Sequence, residues 1–254
     1  MNNRDLSFLN GAEHGGDIFP LAEVPECHSR RICLFGDGKV QDFNYQLFIN
    51  GREGKDFVIF SKSLENKEYR YSGKIKVEVG RGEAINLIVV QQDSDSCTAE
   101  NIFDIELKGG ATLNMSVITL SGSKVDNKFN VRLQEKEAIC NLSGFYMGSE
   151  ERVIDTTLNL THSVGECVSS QLFKGILGGV SRASFTGDIV VEKDAQKTEA
   201  YQANNNLLIS DGAKAVSKPE LIIYADDVKC SHGSTVGMIG EDELFYMRSR
   251  GISL

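Results

Sequence analysis

Tryptophan is absent from this sequence, proline occurs three times and histidine four times. From residue 26 onward the sole proline is Pro219. Long laddered strands are therefore permitted, because each proline would delete a ladder donor. Basic residues are outnumbered, 27 Lys and Arg against 36 Asp and Glu, a net charge of −9. Phosphate binding needs clustered Lys and Arg, so nucleic acid and anionic membrane are excluded as non-specific partners. Apolar runs such as Leu87–Val90 fall far short of the roughly 20 residues a spanning helix needs. The first residues, Met1–Leu6, lack the cationic and apolar run of a secretory leader. Six cysteines are present, none in a C-x-x-C pair, so the strong structural zinc patterns are missing. Reduced thiols and a cytoplasmic location are the matching expectation.

Several catalytic signatures are missing as well. No G-x-x-x-x-G-K-[ST] loop occurs, so the chain is not expected to hydrolyse ATP. The nucleophile elbow G-x-S-x-G is also absent. Phe35-Gly-Asp-Gly-Lys39 fails as a dinucleotide fingerprint, because Gln41 stands where the third glycine belongs. Asp226 and Asp227 are adjacent, so in a strand they would face opposite ways and could not share acid–base work. Cys27, His28 and Cys33 make a metal-like cluster on paper, but Arg30 and Arg31 lie between them and would repel a cation. No catalytic residues are assigned and the chain is expected not to be an enzyme.

What the sequence does contain is period-two alternation. Lys74–Val79, Asn101–Leu107 and Asn127–Leu133 alternate polar and apolar as half-buried strands do. Glycine-containing turns separate them, among them Gly80–Gly82, Lys108–Gly110 and Gly178–Gly179. Turns ending in a small residue recur at 84, 111, 138, 167 and 195, spacings of 27, 27, 29 and 28. Phe103, Phe129 and Phe185 suggest a second register. A fixed period of this size, with no helical pattern inside the unit, signals stacked coils. The expected fold class is all-β, a right-handed parallel β-helix (β-solenoid) of at least five coils. Small residues suit its corners, which assigns Cys140 and Cys167 to packing. The alternative, a β-sandwich, would show turns every 8 to 12 residues.

The ends differ. Residues 1–30 have weak periodicity and are expected to form an irregular or partly helical cap; 31–238 form the β-helix core. Residues 239–254 are expected as a helical segment. Its helix carries acids in the first turn, Arg248 and Arg250 in the last, and Gly251 as a left-handed stop. Leu244, Phe245 and Met247 or Arg248 fall on one side, which would pack it on the solenoid end.

Three segments of the last third support a resemblance. Asp194–Asp211, Lys218–Gly237 and Glu243–Ile252 resemble the SufB/SufD family of iron–sulfur cluster assembly scaffolds, and Lys218–Gly237 resembles its SufD branch most. His162–Gly175 is similar more weakly. The resemblance implies a parallel β-helix that dimerises through its C-terminal part, as a homodimer or with a SufB-like partner. It also implies docking of a SufC-like ABC ATPase and a transient iron–sulfur cluster, or iron, near the dimer interface.

Cys230 and His232 lie two apart on the terminal segment, which in a strand puts both on one face. Thiolate and imidazole suit iron. The resemblance carries an assembly role to His232 and a ligand role to Cys230. The sulfur-accepting cysteine of SufB-type members is matched here by Ala213, which favours a SufD-like role. Family members continue beyond the Arg-Gly-Ile motif into helices that bind the ATPase, whereas this sequence stops at Leu254. Two other functions fit a solenoid. A carbohydrate-active β-helix enzyme would usually carry a secretion signal and an aromatic groove. A degenerate scaffold would only pair with a complete partner.

Overall fold

The computed structural model describes residues 5–9, 12–14, 30–36, 42–51, 55–63 and 68–253, with side chains from residue 44 onward. The chain begins with β1 (Asp5–Leu9), β2 (Ala12–His14), β3 (Arg30–Gly36), β4 (Asp42–Asn50), β5 (Asp56–Ser63) and β6 (Tyr69–Val79). It continues through β7 (Ala84–Gln92), β8 (Cys97–Leu107), β9 (Thr112–Thr119), β10 (Lys124–Leu133), β11 (Ile139–Gly148) and β12 (Val153–His162). Then come β13 (Val168–Leu177), β14 (Arg182–Val191), β15 (Glu199–Leu208), β16 (Lys214–Ile223), β17 (Lys229–Met238) and α1 (Glu241–Ser249). From β3 on, odd strands build one sheet and even strands the other. Each coil adds one parallel rung to both, so the fold is a parallel β-helix.

Among the described residues the first sheet has ten strands and the second seven. Inside the segment expected as an irregular cap, β1 pairs with β3 in parallel and β2 pairs with β1 antiparallel. An open sheet edge is thereby covered by further strand. The remainder of residues 1–30 lies outside the described residues.

The expected period is real, but two of its markers sit off register. From β9 on, the first N–H of each odd strand donates to the corner carbonyl one rung below, at Glu83, Ala111, Ala138, Cys167 and Thr198. Ala84 is therefore one residue late and Ala195 three early. The turn Lys193–Thr198 is longer than its predecessors, and Thr198 closes it through its hydroxyl on the Ala195 carbonyl. The residue before each corner is left-handed: Gly82, Gly110, Glu137, Glu166 and Lys197 all have φ near +60°.

Inward positions alternate with outward ones and fill most of the lumen with aliphatic and aromatic side chains. Phe103 and Phe129 stack in register at 4.9 Å. Phe185 pairs with Thr156 and not with Leu158, so it lies two residues off the expected column. Phe173, from the opposite sheet, fills the step, 6.0 Å from Phe129 and 5.0 Å from Phe185.

Pro219 lies in β16, the end strand of its sheet, where a missing donor is tolerated. The terminal helix does not pack as expected: α1 buries none of its residues. Phe245 and Tyr246 are consecutive and stay exposed. Consecutive residues on a helix are turned about 100° apart, so its apolar side chains form no single face.

Candidate functional site

The sequence-derived site residues are carried by β17, the last rung of the first sheet. Cys230 pairs with Ala200 and His232 with Gln202. Ala200 and Gln202 are buried, so Cys230 and His232 take the same inward parity one rung further out. No described rung covers them from beyond: Cys230 is half-buried and His232 exposed. Cys230 also packs against the edge of the core. Burial pushes its thiol above the ordinary range, so at neutral pH it is protonated and must shed that proton to ligate a metal.

Beneath these two residues the lumen changes character. The column that ends at His232 runs Leu87, Met115, Leu142, Gln171, Gln202. Three apolar rungs thus give way to two glutamines and the histidine. The neighbouring column runs Ile85, Leu113, Cys140, Ser169, Ala200, Cys230. His162 enters from the other sheet, with Nε2 2.8 Å from the Ser169 hydroxyl. Its Nδ1 has no partner, and burial holds its pKa down to about 4, so the ring is neutral.

Part of this polar region is satisfied. The Tyr146 hydroxyl donates to Asn206 at 2.5 Å and accepts from Asn204 at 3.1 Å, and Asn206 donates to Asn204 at 2.7 Å. By contrast, both amide atoms of Gln171 and of Gln202 are buried without partners. Gln171 and Gln202 were not identified from the sequence as site residues. In Val168-Ser-Ser-Gln-Leu-Phe173 the outward Leu172 is 40 % exposed while Gln171 is buried, so the apolar residue masks the parity. Counting by twos from the inward Phe173 would have found it.

The other singled-out residues go elsewhere. Cys97 is the fully buried first residue of β8. It lies beside Asp93, whose carboxylate accepts from Ser61, Tyr69 and Tyr71. Burial raises the Asp93 pKa, and those donors offset part of the rise. Cys140 and Cys167 are fully buried; Cys140 lies within β11 and Cys167 at a corner. Ala213 is buried in the turn before β16. Asp226 and Asp227 are exposed in a bend. Cys27 and His28 lie outside the described residues, as does the side chain of Cys33.

Among the described residues, no group of three or more His, Cys, Asp and Glu is placed to hold a metal ion. No described helix is long and apolar enough to cross a membrane. Cys230 and His232 thus offer two donors, fewer than the four protein ligands of a common iron–sulfur cluster.

A protein-family model described as "SUF system FeS cluster assembly, SufBD core domain" matches residues 34–254. The iron–sulfur cluster assembly protein SufD of Escherichia coli K12 is 40% identical over 150 residues, 59% of this chain and 36% of that protein. A SufBD family protein of Synechocystis, slr0076, is 33% identical over 188 residues, 72% of this chain and 41% of that protein. The chloroplastic protein ABCI7 of Arabidopsis thaliana is 38% identical over 139 residues, 53% of this chain and 29% of that protein. The chain spans less than half the length of each of these relatives.

Proposed function

The chain belongs to the SufBD family of the SUF system for iron–sulfur cluster assembly, and from that premise we propose that it is a non-enzymatic, SufD-like scaffold whose terminal coil receives iron or a nascent cluster. The cluster is cargo. Cys230 and His232 are its ligands on this chain, the thiolate supplying a soft donor and the imidazole a borderline one. Two donors leave coordination positions open. A second subunit seated on the same end supplies the rest, either another copy or a SufB-like partner, in the cytoplasm. An ABC-type ATPase completes the assembly. Ala213 at the sulfur-accepting position assigns sulfur delivery to the partner.

The single observation behind this reading is the shared inward parity of Cys230 and His232 on a rung that no other described rung covers. Anaerobic reconstitution of the full chain with ferrous iron and sulfide tests it. Iron bound per chain should fall at least about tenfold in the double variant Cys230→Ser, His232→Ala, in line with the usual effect of losing metal-site groups. Undiminished iron in that variant removes the assignment.

A further inference from the structure

Gln202 is 97 % buried, at 3 % exposure, yet neither end of its amide has a partner. Such an arrangement is disfavoured, because an unmade hydrogen bond of a buried polar group carries its full desolvation penalty. An apolar side chain would serve the lumen better, as Leu142 and Met115 do in the same column. A partner is therefore expected within one rung of the Gln202 amide. The amide lies in the lumen and not against its own strand: a methyl at Gly187, on β14 across the lumen, would stand 2.6 Å from Nε2. On the next rung outward, in register, stands His232.

Side chains on consecutive rungs of this solenoid do reach one another. Asn141 donates to Asn114, and Asn114 to Asn86, at 2.9 Å each. Between β15 and β17 themselves, Thr235 donates to Asn205 at 2.9 Å and Lys229 to Glu199 at 2.8 Å. Glutamine is longer than asparagine by one methylene, so the span from Gln202 to an imidazole one rung away is within its reach.

We propose that Gln202 is the positioning residue for His232: turned from its present place across the lumen toward the open end, its Oε1 would accept one ring N–H and so fix the tautomer that leaves the other ring nitrogen as a free electron-pair donor. This rests on the reading of His232 as an iron ligand. It follows the general rule that a ligating histidine is held through its second nitrogen. In that arrangement Gln171, one rung deeper and likewise unpartnered, would take the Gln202 amide N–H and hold the carbonyl oxygen outward.

The test is nitrogen NMR of the full chain labelled in its histidines, at mildly alkaline pH. The His232 signal is identified by its loss in His232→Gln. In the wild type one His232 tautomer should exceed the other by about tenfold, the population effect of one net hydrogen bond. In Gln202→Met, which keeps the apolar volume, the ratio should collapse to that of free histidine while the His162 signal stays in place and reports the fold. Gln202→Leu, which has no amide, should give the same collapse and serves if the methionine variant does not fold. An unchanged tautomer ratio in a folded variant overturns the proposal. So does a higher melting temperature of Gln202→Met with His232 unmoved, which would mean an idle amide. Ferrous iron binding is measured separately. A tautomer change without weaker iron binding would leave the positioning intact and remove the iron-ligand reading instead.

Discussion

His162 shows how a single lumen side chain can set the acid limit of the fold. It is fully buried, bonded only to Ser169, and neutral because burial lowers its pKa from 6.5 to about 4. A histidine whose folded pKa is depressed binds a proton more readily in the unfolded chain. Its contribution is therefore intact above pH 6.5 and is lost as pH falls from there toward 4. The loss amounts to about 3 kcal/mol across that window. Asp93, raised by burial, acts in the opposite sense, because the folded state then holds its proton more tightly. Comparing wild type with His162→Gln cancels the Asp93 contribution. Urea midpoints followed from neutral to acid pH should converge on those of the variant. Parallel curves would show that His162 is not the acid-sensitive group.

At the scale of strands, one device occurs twice. Tyr45, Gly73 and Asn101 occupy consecutive rungs of the second sheet, and the tyrosine hydroxyl crosses the glycine to donate to the asparagine at 3.0 Å. Tyr146, Gly175 and Asn206 repeat it in the first sheet. The glycine is needed because a methyl would stand 2.2 Å from the Tyr45 ring, or 2.1 Å from the Tyr146 ring. Gly175→Ala should therefore destabilise by about 3 kcal/mol, from overpacking and the broken Tyr146 bonds together. For a chain of this size that lowers the melting temperature by roughly 6–12 °C. Gly237→Ala meets no atom within 4 Å and should leave it unchanged in calorimetry. Equal effects at the two positions would contradict the crossing tyrosine. The coil itself was readable in the sequence, because Ala111, Ala138 and Cys167 mark true corners. Tyrosines spanning two rungs were not, since such pairs lie 56 and 60 residues apart. Nor were the inward glutamines, whose apolar neighbour Leu172 occupies the solvent side. The Cys230–His232 pairing was readable because it needs only parity within one strand.

For the molecule as a whole, the asymmetry between its coils decides how it can associate. Interior coils are sandwiched, with their inward residues buried on both sides. The coil of β16 and β17 is covered from one side only. Its inward positions leave Ile223 39 %, Val236 48 % and Met238 52 % exposed, although they continue columns that are buried deeper in the rod. Beyond them α1 adds exposed Phe245 and Tyr246. Under the proposed function, these apolar side chains and a strand edge unpaired among the described residues make that end the contact expected for a second subunit. Joining two such ends would place each Cys230 and His232 beside the partner's pair and raise the donors from two to four. Sedimentation velocity of the full chain at micromolar concentration should therefore show a dimer. Val236→Glu puts a charge on the contact without touching Cys230, His232 or the buried core, so it should yield a folded monomer with an unchanged circular dichroism spectrum. Iron retention should fall in the same variant, since half the donors leave with the second subunit. A chain that sediments as a monomer before mutation yet holds a cluster with full occupancy would show that the ligands are gathered without this end-to-end contact.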